Sequence, residues 1–110
     1  MMAFDIVKFR EYLEANQERQ FHTNSACDCP VAMWLRDTRK LSRHQVSIFY
    51  GHSSVALERY PTPRWIDKFV TYFDALDIST FKRPETRSGK HALEDLLRVA
   101  ACLQLDLGAK

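Results

Sequence analysis

Pro61-Thr62-Pro63, followed by Trp65, Phe69, Tyr72, Phe73 and Leu76, is the passage that most restricts what this chain can become. Each proline fixes its own φ and lacks an N–H, so the preceding element must end there and a helix can start at once. The three-to-four-residue spacing gathers the large side chains on one side and leaves Arg64, Asp67, Lys68 and Asp74 on the other. The spacing predicts a helix with Thr62 as its cap. Such a stripe reads as core rather than as a ligand slot. Each buried ring removes about 150–250 Å² from water, and a small domain needs several of them to offset chain entropy.

The remaining helices follow from the same period. Asp5 caps an expected first helix over 5–18, in which Ile6, Phe9, Tyr12 and Leu13 share a face. A loop over 17–26, pinned by Phe21, leads to Cys29-Pro30, and the proline starts a second helix with Val31, Trp34, Leu35 and Thr38 inside and an end near Arg39. Ser88 caps a last helix carrying Leu93, Leu96, Leu97 and Ala100, with Glu94 and Arg98 placed to pair across one turn. Leu41–Tyr60 is ambiguous: Val46, Ile48 and Tyr50 alternate as in a strand, while Val46, Phe49 and Tyr50 also suit a helical face. The expectation is a mainly α fold of about four helices, with a short β-hairpin around 45–57 as the alternative there.

The chain has 110 residues, 45% of them apolar and 27% charged, which fits one domain over 1–110. No apolar run approaches the ~18 residues of a membrane span, and charges interrupt Met1–Arg10 where a secretion signal would be unbroken. A cytoplasmic protein without membrane contact is expected. Three cysteines make an odd number for a disulfide framework, so free thiols are expected as well.

Catalytic and cofactor chemistries find little footing. Gly51, Gly89 and Gly108 are isolated, so no phosphate-cradling loop is present. His91 and Glu94 share a helix face without the second half of a metal or acid–base motif. His22, Cys27 and Cys29 could join His44, His52 or Cys102 around zinc, but only one residue separates the two cysteines where structural sites use two to four. No catalytic residue, metal ligand or cofactor is therefore assigned.

Charge is more informative. The net charge is only +2, but positive residues concentrate in two stretches: Arg36, Arg39, Lys40 and Arg43, then Lys82, Arg83, Arg87 and Lys90. These eight are the candidate partner-binding residues, able to meet an acidic protein surface or a nucleic-acid backbone, against the alternative that both stretches are solvated linkers. Their adjacency in space, and whether the chain is a monomer or a homodimer, stay open at this level.

Two resemblances bear on function. Leu41-Ser42, Val46-Ser47, Tyr50-Gly51, Ser53, Leu57 and Tyr60 fall in register with the helix-turn-helix of phage-repressor-like regulators. That resemblance implies a reading helix from Ser53 with Ser53, Ser54, Ala56 and Arg59 facing bases. Across Phe9 to Leu97, the order Phe9…Leu13, Cys29-Pro30-Val31-Ala32…Leu35, Val46-Ser47-Ile48, Pro63-x-Trp65…Phe69 and Gly89…Ala92-Leu93 is similar to small accessory proteins of phages and mobile elements. This second resemblance implies a non-enzymatic inhibitor that occludes a host defence complex, as anti-CRISPR proteins do. A DNA-binding regulator is the alternative.

Overall fold

The computed structural model describes residues 4–75, 81–82 and 84–105. In chain order these form α1 (Ile6–Ala15), β1 (Gln20–His22), α2 (Pro30–Arg39), a 3-10 turn (Arg43–Gln45), β2 (Val46–Ile48), β3 (His52–Val55), β4 (Glu58–Pro61), α3 (Arg64–Phe73), β5 (Thr86–Ser88) and α4 (Gly89–Leu103). The strands make two antiparallel sheets, β1–β5 and the meander β2–β3–β4. The mainly α expectation is thus corrected to a mixed α/β fold.

Helix starts follow their local chemistry. The Asp5 carboxylate accepts the Val7 and Lys8 N–H groups, the Cys29 thiol accepts from Ala32, and the Ser88 hydroxyl accepts from His91. Before α3 the expectation fails in detail. The cap position is Pro63, without a side-chain bond, because Thr62 is committed to Ser53 and to the Phe49 carbonyl in the adjoining meander. Leu76 and Arg83 lie outside the described residues. Arg98 lies over the Tyr72 ring at 5.8 Å, and the pairing with Glu94 is not among the ion pairs of the described residues.

The core gathers around Phe9. Its ring centroid lies 5.1 Å from Trp34, 5.6 Å from Trp65 and 5.2 Å from Phe69, joining α1, α2 and α3. Leu13, Ile66, Phe73, Leu96 and Val99 complete the helical part, while Val46, Ile48 and Val55 add the inner face of the meander. The latter explains the ambiguity of the sequence. Val46, Ile48 and Val55 alternate with half-buried Ser47 and Ser54, so the period is two, and a strand edge only three or four residues long leaves too few positions for a helix period to be excluded.

The first sheet was read from sequence as loop and basic linker. Gln20, Phe21 and His22 pair with Ser88, Arg87 and Thr86, and Thr23 N–H donates to the Glu85 carbonyl at 3.0 Å. Two backbone bonds then seat the start of α4 on the preceding turn: Gly89 N–H to the Arg19 carbonyl at 2.8 Å, and Lys90 N–H to the Gln17 carbonyl at 2.9 Å. Donors that a helix leaves unsatisfied are met by residues seventy positions away in the chain. Gly89 is required here by close approach. A Cβ at that position would stand 2.0 Å from the Asn16 carbonyl oxygen.

Candidate functional surface

The helix-turn-helix geometry has no counterpart in 41–60. Ser53 and Ser54 lie in β3, Arg59 lies in β4, and Ala56-Leu57 form the tight turn between them. Ser53 is buried and hydrogen-bonded to Thr62, so it cannot face a base.

What the segment builds instead is a protruding tip. Val55 pairs with Glu58, leaving a two-residue turn in which Ala56 has φ 53° and Leu57 has φ 69°. Two consecutive positive φ values match the strand twist in a type I′ turn, which ordinarily uses Asn-Gly. A non-glycine residue in this region costs roughly 1–2 kcal/mol. The turn persists because Ala56 N–H is bonded to the Gln45 carbonyl at 2.8 Å and the meander fixes both flanks. Its product is an exposed leucine: Leu57 is 83% accessible.

The four cations of the first basic stretch differ in availability. The Gln45 bond sets the turn beside Arg43–Gln45, and the charge of Arg39 reaches the Tyr60 hydroxyl, which donates to Glu58. Arg39 and Lys40 are exposed. Lys40 ends α2 in the left-handed region at φ 55°. Arg36 and Arg43 are less available. Both reach Asp28, at 3.0 Å and 2.9 Å, and the Arg43 guanidinium in particular holds that carboxyl below the usual range. Nearby, Arg19 and the Tyr12 hydroxyl both bond Asp37, at 2.7 Å and 2.6 Å. Although burial opposes it, these bonds keep Asp37 ionised to lower pH.

The second basic stretch is divided. Arg87 turns to the protein, donating to the Ala75 carbonyl at 2.7 Å and to His91 Nε2, which must accept because guanidinium can only donate. His91 Nε2 stands 3.6 Å from Asp95, whose Oδ2 is buried without a hydrogen bond, and burial raises the Asp95 carboxyl above its ordinary value. Lys82 and Lys90 are exposed, and Arg83 is outside the described residues. Among the described cations, Arg36 and Arg43 meet at Asp28, and Arg87 serves the junction of α3 and α4.

The cysteine cluster disperses. Cys27 Sγ lies 3.6 Å from the Ser47 hydroxyl, and Cys29 is buried at the start of α2, where burial pushes its thiol up to about 12. A neutral thiol suits capping and not nucleophilic attack. Among the described residues, no three His, Cys, Asp or Glu side chains group to hold a metal, all three cysteines are free, and no helix is long and apolar enough to cross a membrane.

Away from the tip, a concavity with aromatic walls lies between residues 24–29, the β2–β3 turn and α3. Its volume is about 290 Å³. Phe49, Tyr50, Asp67 and Asp74 stand at this cleft, and of these only Tyr50 belongs to a sequence motif, the helix-turn-helix register that the fold does not form. Leu57 belongs to the same register, and Ala-Leu carries no turn signal that would place it on a hairpin tip.

Comparison with protein-family models, with curated proteins and with solved structures returns no match to this chain. The functional reading accordingly rests on the surface chemistry.

Proposed function

We propose that this chain is a non-catalytic binding protein of phage or mobile-element type that works in the host cytoplasm by covering a protein surface of a defence complex. The observation that carries the reading is Leu57, an aliphatic side chain held 83% exposed on a turn of unfavourable φ that is bonded to Gln45 of the Arg43–Gln45 turn and followed by Arg59 of β4. Strain of this kind is commonly retained where it presents a contact residue. An apolar centre with a charged rim is the usual composition of a binding patch, the centre giving affinity and the rim orientation and encounter rate. The complementary surface is an acidic one with an apolar socket.

Affinity capture from host lysate with and without nuclease tests this. The expected result is a stoichiometric protein partner that survives nuclease and is lost with Leu57→Ser, while the variant melts within about 0.5 kcal/mol of the parent, as exposed substitutions do. Retention of the same partner by Leu57→Ser, or capture abolished by nuclease, overturns the proposal.

A further inference from the structure

The cleft between α3 and the β2–β3 turn has a chemistry opposite to that of the tip. Its floor is apolar, with Cys29 and Ile48 buried beneath Ala26 and Val70. Phe49 and Tyr50, 47% and 61% exposed, rise at its edge. None of its lining residues is Lys, Arg or His, while two are carboxylates, Asp67 and Asp74.

These groups are held in place. Gly51, at φ 78°, turns the chain so that its N–H reaches Asp67 Oδ1 at 3.3 Å, and Asn24 N–H reaches Asp74 Oδ1 at 2.8 Å. The Tyr50 hydroxyl meets Thr71 Oγ1 at 3.0 Å, and Phe49 stacks on His52 with centroids 5.3 Å apart. Rings and carboxylates are thus oriented before anything binds, which lowers the ordering cost of association.

We propose that this cleft receives an arginine side chain of a protein partner. At about 290 Å³ the space lies at the small end of ligand sites and suits one side chain rather than a nucleotide. The methylene stem would lie on the apolar floor, the guanidinium face would stack on the aromatic edge, and its forked N–H groups would meet Asp67. A guanidinium suits this better than an ammonium because it is planar and more weakly hydrated. An anion would meet the Asp67 carboxylate at the point where the guanidinium is placed.

The probe is N-acetyl-arginine methylamide, titrated into the full chain and followed by amide ¹H–¹⁵N shifts. Saturable shifts confined to Gly51, Asp67, Val70 and their neighbours are expected. The uncharged citrulline analogue and free guanidinium ion, which lack the charge and the stem respectively, should each bind at least about tenfold more weakly, the scale of one charge-assisted hydrogen bond. Asp67→Asn should weaken binding by a similar factor. Its amide oxygen can still accept Gly51 N–H, so the turn survives. Phe49→Ala, at an exposed ring, should weaken binding without changing the melt. Absence of saturable shifts, equal binding of the citrulline analogue or of guanidinium ion, or indifference to both substitutions overturns the proposal. None of these results depends on whether Leu57 engages a partner.

Discussion

The helical part of the molecule and its three-stranded edge satisfy opposite requirements. Where α1, α2 and α3 meet, rings close on one another around Phe9, and where α4 starts against the end of α1, Gly89 leaves no room for a single added methyl group. At the meander, side chains that would ordinarily be buried stand in water, and a turn keeps two residues at positive φ without glycine or asparagine. The first region minimises its own free energy. The second keeps Phe49, Tyr50 and Leu57 in water, and both proposals rest on these side chains.

The sharpest way to break this contrast is at Gly89. An alanine Cβ would meet backbone, the Asn16 carbonyl oxygen at 2.0 Å and its carbon at 2.8 Å, so the obstacle is not a flexible side-chain end. Moving α4 outward would also break the Gly89–Arg19 and Lys90–Gln17 backbone bonds. Gly89→Ala is expected to remove more than about 3 kcal/mol, the scale of overpacking combined with lost buried hydrogen bonds, measurable by urea denaturation. A loss below about 1 kcal/mol would mean that this junction is as pliable as the meander.

The same junction shows how far sequence reasoning reaches. Three helices begin at the caps that the sequence announces, since Asp5, Cys29-Pro30 and Ser88 act on donors within three residues. The β1–β5 pair could not be read this way. Its strands are three residues long, lie more than sixty positions apart, and gain their stability from Phe21 and the Gly89 contact rather than from any local pattern. The surface was legible in part. Arg39 and Lys40 stand out as charge, but the sequence assigns Leu57 to an expected helix because Ala56-Leu57 violates the usual turn chemistry, and the cleft unites residues from 24 to 74 that no spacing relates.

A smaller effect is expected from the one place where the helical part does not minimise its energy. Asp95 on α4 is buried, and its Oδ2 has no hydrogen bond. Burial, the largest effect, raises its pKa and Glu94 adds to this, while Arg98 and Arg87, and His91 whenever it carries a second proton, favour its charge. A carboxyl whose folded pKa exceeds the unfolded one contributes stability below the unfolded value, near about 4, and loses it as pH rises through the folded value. Asp95→Asn removes the charge but keeps a polar atom at the same place, so it should stabilise the chain at pH 7 by about 1 kcal/mol, the low end of the cost of burying an unpaired group, and the advantage should vanish below about pH 4. Thermal melts of both proteins between pH 3 and 8 check it. A variant less stable than the parent at every pH would show that Asp95 is held by its neighbours and does not strain against them.

A change of similar size tests the contrast from the other side. Ala56→Asn with Leu57→Gly installs the residues that a type I′ turn prefers: glycine meets the observed φ without a Cβ, and asparagine tolerates it through local hydrogen bonds of its short side chain. The backbone bond from residue 56 to Gln45 is kept, since it uses only the main-chain N–H. Relief of strain at two positions would favour the folded state by as much as 2–4 kcal/mol if taken at face value, but glycine also enlarges the entropy of the unfolded chain, so a net gain of about 1 kcal/mol is expected. The same substitution deletes the exposed leucine. Greater stability together with loss of the captured partner is therefore the expected pair of outcomes, read by denaturation and by the lysate capture. This is the trade that a contact residue held against its backbone preference must show. A gain in stability with capture intact would make the tip an unoptimised turn and move the working surface elsewhere on the meander.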